Sequence, residues 1–316
     1  MTDSTVAEEF TTDGGFTAED DGLHPVSDNF YETETFWFSF FVPERNIGAW
    51  VYVSVRANAG TTGGGLWLWD HTGSEPWNVP FFEGFSHLKP PKFEDGVLTS
   101  PTGATITVVQ PGMEYSVRYD DRDRITADLH FVGLERPVPL RSGSPPYPSA
   151  SHYDQTGRVT GTVVLDGERI DVDCYAMRDR SWGPRTERGY RRVGYTWLAD
   201  PQLTLLTYSA PTDDSDDIHS GYVRRGEDVV AVRGGHRKAG RDPERGWIES
   251  LDLTAVDESG AEITVSGRAR SRLILPGSTN ICINTLLEFD VDGRIVYGED
   301  QDVWPIKEFR AAVRPG

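Results

Sequence analysis

The sequence predicts an all-β protein made of two barrels or sandwiches, and three observations carry that reading. Short runs of β-branched and aromatic residues with period 2 recur along almost the whole chain. Turn formers separate them, with 33 Gly and 20 Pro in 316 residues, each suited to backbone that a strand cannot adopt. Helical periodicity is not sustained beyond two turns except in KEFRAAV at 307–313. An aromatic content of 11%, with nine Trp, points the same way, since large flat rings pack well on pleated surfaces.

Residues 1–22 are polar and acidic and read as a flexible arm. FWFSFFV (36–42), AWVYVSV (49–55) and GLWLWD (65–70) are the first strands. Residues 71–98 are rich in Pro and Gly and read as an irregular excursion. ATITVVQ (104–110), MEYSVRYD (113–120) and ITADLHFV (125–132) follow; in the second of these Met113, Tyr115, Val117 and Tyr119 share one face. The segment 137–148 holds five Pro in PVPLRSGSPPYP, which no sheet interior accommodates. It is read as a linker over 137–150, between an N-terminal domain at 23–136 and a C-terminal domain at 151–316. RVTGTVVL (158–165) and RIDVDCYAM (169–177) then flank Asp166-Gly167, a type I′ hairpin signal, and Asp292-Gly293 makes another. GEDQDVWPIKEF (298–309) is expected to close one barrel, with its acids solvated.

Lys and Arg number 31 against 50 Asp and Glu, for a net charge of −19. That balance disfavours nucleic acid, whose phosphates demand basic groups, and anionic membrane surfaces. No apolar run reaches the ~18 residues of a membrane span. The first basic residue is Arg45, after eleven acidic ones, so no secretory leader is read and a cytoplasmic location is expected. Cys174 and Cys282 are the only cysteines and read as buried apolar residues. Neither a nucleophile elbow, an HExxH, a CxxC nor a phosphate-cradling Gly loop occurs. No metal and no cofactor is expected.

Two stretches carry chemistry. In CYAMRDRSWGPR (174–185), Asp179 stands between Arg178 and Arg180, followed by Ser181-Trp182-Gly183. One reading is a structural ion-pair node, because guanidinium forks match carboxylates; the other is an acid at a barrel mouth. SHYDQTGRVTG (151–161) places His152, Tyr153, Asp154 and Gln155 together. These groups serve either to cap a strand entry or, with His the side chain most easily titrated near neutrality, as acid–base groups.

His-x-x-Gln before a strand, then Arg-Asp-Arg-Ser-Trp-Gly-Pro-Arg about 25 residues on, resembles the AttH-like/carotenoid 1,2-hydratase superfamily of double lipocalin-like proteins. HPVSDNFYETETFWFSFFVPERNIGAW (24–50) is similar to the opening of one branch of that group. The resemblance implies two lipocalin-like β domains and chemistry on prenyl-type alkenes or polyenes in an apolar cavity. It places His152 and Asp179 at the positions that matter in the hydratases. Where that pattern has a Trp two after the His and a Tyr two before the Asp, this chain has Asp154 and Met177.

The expected activity is that of a cofactor-independent hydratase or dehydratase, or an allylic isomerase, on an apolar terpenoid- or steroid-like alkene or alcohol. Asp179 would act as acid, kept protonated by desolvation, while His152 and Asp154 position or deprotonate water. Trp182, Tyr175, Met177, Tyr195, Trp197 and Trp304 are the candidates to bind substrate, the aromatic faces suiting a carbocation. The alternatives are a cofactor-free pericyclase and a non-catalytic carrier of an apolar molecule. Convergent ionisable groups favour the acid–base enzyme; a wholly apolar cavity favours the carrier. Trp37, Trp50, Trp67 and Trp69 are read as core packing.

Overall fold

The computed structural model describes residues 17–139, 152–185, 191–212 and 215–314. The strands are β1 (Glu32–Val42), β2 (Ile47–Arg56), β3 (Thr61–Trp69), β4 (Phe81–Leu88), β5 (Lys92–Glu94), β6 (Val97–Thr99), β7 (Ala104–Gln110), β8 (Glu114–Asp120), β9 (Ile125–Gly133), β10 (Val138–Pro139), β11 (His152–Leu165) and β12 (Glu168–Pro184). They continue as β13 (Val193–Ala199), β14 (Leu203–Pro211), β15 (Asp216–Arg225), β16 (Asp228–Arg241), β17 (Ile248–Asp257), β18 (Glu262–Pro276), β19 (Asn280–Val291) and β20 (Arg294–Pro305). One helix, α1 (Ile306–Val313), follows. The all-β expectation holds, with a helix where KEFRAAV suggested one. No described helix is long and apolar enough to cross a membrane.

β1 to β12 form one sheet of order β4-β3-β2-β1-β12-β11-β9-β8-β7-β6-β5, with β10 on β11. β13 to β20 form a closed barrel in which every strand lies beside its sequence neighbour and β13 pairs with β20. The Pro-rich segment therefore does not divide the two sheets, which corrects the expected boundary at 137–150. β11 returns to the first sheet, pairing with β9 from Gly157↔Gly133 to Leu165↔Ile125, and β12 pairs with β1. Proline breaks a ladder only where it sits; which sheet the chain rejoins depends on non-local pairing. Two compact units result, one holding 1–42, 49–68 and 81–185, the other 43–48, 69–80 and 186–316. Most of the expected linker, at 140–150, and residues 1–16 of the expected arm lie outside the described residues. The end of that arm is ordered: Ala18–Asp21 is a 3-10 turn capped by Thr17, with Asp21 buried.

Both Asp-Gly hairpins form with two positive φ values, 50° and 84° at Asp166 and Gly167 and 53° and 81° at Asp292 and Gly293, as a type I′ turn requires. Asp95 and Gly96 do the same with 50° and 74°, turning β5 into β6 inside the stretch expected to be irregular. The first unit packs Phe36, Phe38, Phe40, Tyr115, Val117 and Phe131 into its core. Each such side chain contributes roughly 1.5–3 kcal/mol on burial. The predicted alternation of β8 is observed, with Tyr115, Val117 and Tyr119 all buried. Leu198, Leu205, Val223, Leu253, Leu287 and Phe289 belong to the apolar core of the barrel.

The same inward face of β20 carries charge further along. Asp300 and Asp302 are fully buried, which corrects their reading as solvated acids. Arg237 from β16, itself fully buried, donates through Nη2 and Nε to Asp300 at 2.6 and 3.1 Å and through Nη1 to Asp216. Ionic pairing makes the burial of these acids possible, a partner 63 residues distant in sequence that period-2 reading does not reveal.

Candidate functional site

Three strands of the first sheet bring the site residues together by register. Asp179 on β12 lies directly across from Trp37 on β1 and from Asp154 on β11. Ser181, two residues on, lies across from Thr35 and His152, and Met177 lies across from Thr156. Directly opposed residues share a face, and successive residues alternate faces. His152, Asp154, Asp179, Ser181 and Trp37 therefore sit on one side of the sheet, while Arg178, Arg180 and Trp182 sit on the other.

His152 Nε2 and Asp154 Oδ2 are 3.2 Å apart, and both residues are buried, at 5% and 1% exposure. Asp179 retains some exposure as a residue, yet its Oδ1 is closed to solvent and has no hydrogen-bond partner. The Ser181 and Thr35 hydroxyls are 2.6 Å apart, and Arg185 donates to Ser181 Oγ. Burial foremost, and then the Asp154 charge, push the Asp179 carboxyl up to about 6, against the opposing pull of His152, Arg185 and Arg180. For His152 burial works downward, but the charge and hydrogen bond of Asp154 and the charge of Asp179 outweigh it, so its pKa is raised. One ligand atom from each of His152, Asp154 and Asp179 falls within 4.8 Å of the others. That spacing is also compatible with one shared metal ion.

The reading of Arg178-Asp179-Arg180 as an ion-pair node is overturned by alternation. Arg178 Nε donates to Gln155 Oε1 at 2.6 Å, and Arg180 Nη1 donates to the Thr35 carbonyl at 2.9 Å. Neither guanidinium is hydrogen-bonded to Asp179. Trp182 is also on the far face, stacked on His24 with centroids 4.2 Å apart and planes 11° apart. That removes it from the candidate substrate-binding residues grouped with Asp179. Met177 is fully buried beside Asp179 on the same face. Tyr175 shares that face but lies four residues away, about 13 Å at ~3.3 Å per residue, across from exposed Arg158.

Tyr195, Trp197 and Trp304 belong to the second unit. Tyr195 and Trp197 are opposite Gln301 and Glu299, on the outward face of the barrel wall, and both are buried. Trp304 is on the inward face, its Nε1 donating to Asp302 at 2.7 Å and its ring covered by Arg192 at 4.0 Å. Sequence reasoning missed Trp37 as a neighbour of Asp179. The two are far apart in the chain, and only the pairing of β1 with β12 joins them. From Trp37 an aromatic row continues to Trp50 (5.2 Å), Trp67 (5.7 Å) and Phe82 (5.8 Å).

The fold has solved relatives. A protein assigned as AttH from Nitrosomonas europaea superposes with a TM-score of 0.60 at 12% identity, over 90% of this chain and 95% of that one. CghA gives 0.57 at 12% identity, over 94% and 96%. Kievitone hydratase from Nectria haematococca gives 0.51 at 12% identity, over 86% and 89%. The likeness to these three structures is one of fold. A comparison with curated proteins finds no match. The family model for DUF7064, a domain of unknown function, matches residues 17–299, and the chain belongs to that family.

Proposed function

We propose that the protein is a cofactor-independent acid–base enzyme that adds water to, or removes it from, an apolar alkene or alcohol of terpenoid or steroid type. The observation that supports this most is Asp179: a carboxyl raised to about 6, with an oxygen closed to solvent and free of partners. A catalytic acid should hold its proton near the working pH and still have somewhere to deliver it. Asp179 provides the acid; His152, held in its charged form by the neighbouring carboxylates, orients the water, and the Asp154 carboxylate takes its proton. In the dehydrating direction the same groups exchange roles. Trp37, across from Asp179, offers a ring face for developing positive charge. Three ionisable groups on one buried face favour this reading over a passive carrier. Kievitone hydratase shares the fold, and its name fits the proposed reaction class. The reading uses no metal.

The test is isotopic. The protein is incubated with a panel of terpene alcohols, alkenes and sterols in deuterium oxide and in heavy-oxygen water, with and without a chelator, and products are read by mass spectrometry. We expect protein-dependent gain of one water with solvent label in the product from alkenes, or loss of one water without label from alcohols, and no effect of the chelator. Isomerised or cyclised product without label, still formed by Asp179→Asn, would point to the pericyclase alternative. Binding with no product at all would leave the carrier.

A further inference from the structure

The alternation that turns Asp179 to one face turns Arg178 to the other, into the interior of the first unit. Its guanidinium is 1% exposed and lies 4.0 Å from the Tyr115 ring centroid and 5.0 Å from that of Tyr153. Nη2 and Nη1 donate to the hydroxyls of those two tyrosines, at 2.6 and 3.2 Å. Gln155, the third acceptor, is fixed in turn by donating to the carbonyls of Gly112 and Glu135. All these partners are neutral. A buried cation costs several kcal/mol unless an anion accompanies it.

The anion comes from outside the sheet. Asp21, at the end of the 3-10 turn, places its carboxylate among four groups that the sheet and its turn supply. Oδ1 accepts from the hydroxyls of Tyr115 (2.6 Å) and Tyr153 (3.2 Å). Oδ2 accepts from the Gly112 N–H (2.7 Å). Arg178 Nη2 is 3.7 Å from Oδ1. The rest of this short strap is held by side chains rather than by a ladder. His24 stacks on Trp182 and pairs with Asp20 and Glu34. Arg180 donates to the carbonyls of Asp20 and Gly22.

We infer that Arg178, Tyr115, Tyr153 and the Gly112 N–H form a preformed carboxylate receptor, and that Asp21 is its tethered ligand. Each receptor group is positioned by sheet contacts that do not involve the strap: Gln155 holds Arg178, and Arg178 holds both tyrosines. The receptor therefore persists when the strap's carboxylate is removed, and it accepts a free monocarboxylate with a small apolar tail, for which the aromatic rings supply the walls. The strap is then the element that opens or closes this site. The inference is independent of the acid–base chemistry on the opposite face.

Chemical rescue in the full-length protein tests it. Asp21→Ala removes the carboxylate and leaves space for one. Thermal midpoints are measured in formate, acetate and propionate against chloride at equal ionic strength. A ligand that binds only the folded state stabilises it by RT ln(1 + [L]/Kd), so the midpoint keeps rising with the logarithm of ligand concentration above Kd. We expect Asp21→Ala to melt several degrees below the native protein in chloride and to regain at least half of that difference in formate or acetate, with the rise following the logarithm of carboxylate concentration. The native protein, its receptor filled, should show no such rise. Asp21→Asn, whose amide occupies the same space, should be destabilised without responding to carboxylate. Absence of rescue, or an equal rise in the native protein, would overturn the inference. If Asp21→Ala does not fold in chloride, recovery of its circular dichroism in acetate is the same test, and failure in both salts would count against the receptor.

Discussion

Asp179→Asn is expected to abolish turnover while making the protein more stable above about pH 6. Asn matches the shape of the carboxyl but has no acidic proton to give, and loss of an acid–base group typically costs ~10²–10⁴-fold in rate. The stability change follows from linkage. The carboxyl's pKa is 3.8 when unperturbed and about 6 in the fold. Below the lower value both folded and unfolded chains hold the proton, and the group contributes nothing. Between the two the unfolded chain ionises first, so stability falls as pH rises, and above about 6 the loss is complete. A displacement of this size corresponds to about 3 kcal/mol, an upper bound because solvent reaches part of the residue. The variant escapes this loss, so its melting midpoint should exceed that of the native protein at about pH 8 and converge with it near pH 4. Gain of stability with loss of activity marks a residue kept for function. A purely structural Asp179 would give the opposite sign.

Arg237→Leu should be the most damaging single change in the barrel. Arg237 and Asp300 are fully buried and joined by three hydrogen bonds, two from Nη2 and one from Nε, with Asp216 on Nη1 and Asp302 Oδ1 3.6 Å from Nη2. Replacing the guanidinium by an alkyl chain leaves these carboxylates without their central cation. Breaking a buried pair by removing one partner costs roughly 3–5 kcal/mol, a large fraction of the ~5–15 kcal/mol that holds a domain folded. The pH dependence separates this cause from simple loss of packing. Uncompensated buried carboxylates become neutral on acidification, so the deficit should shrink from pH 8 to pH 5 in denaturant titrations. A deficit constant over that range would assign the loss to packing alone.

Local signals in the sequence account for the strands and for both Asp-Gly hairpins, because period 2 and positive φ are properties of a few adjacent residues. They do not account for the division of the chain. The Pro-rich segment marks a break in the ladder, but the return of β11 to β9 and of β12 to β1 depends on pairings between distant strands. The candidate site divides in the same way. His152, Asp154 and Asp179 were recognisable from their residue types and spacing, and the pairing Asp154↔Asp179 brings them together. Trp182 was misplaced because it follows Asp179 closely in sequence, although an odd offset of three along a strand sends a side chain to the opposite face. Trp37 was passed over because an apolar strand rich in aromatics looks like core from its sequence alone. The two arginines flanking Asp179 looked like its partners for the same reason. They instead hold Gln155, the two tyrosines and the strap that carries Asp21 and His24.

The ionisation of Asp179 in the folded protein is the most direct test of the account, and it needs no substrate. Side-chain carboxyl carbon shifts are followed by NMR over pH 3 to 8 in protein labelled at aspartate, with Asp179→Asn supplying the assignment. A midpoint near 6 is expected for Asp179, with a matching inflection in the signal of the neighbouring Asp154. A midpoint at or below 3.8, the ordinary aspartate value, would show a permanently ionised carboxylate and contradict its role as the catalytic acid.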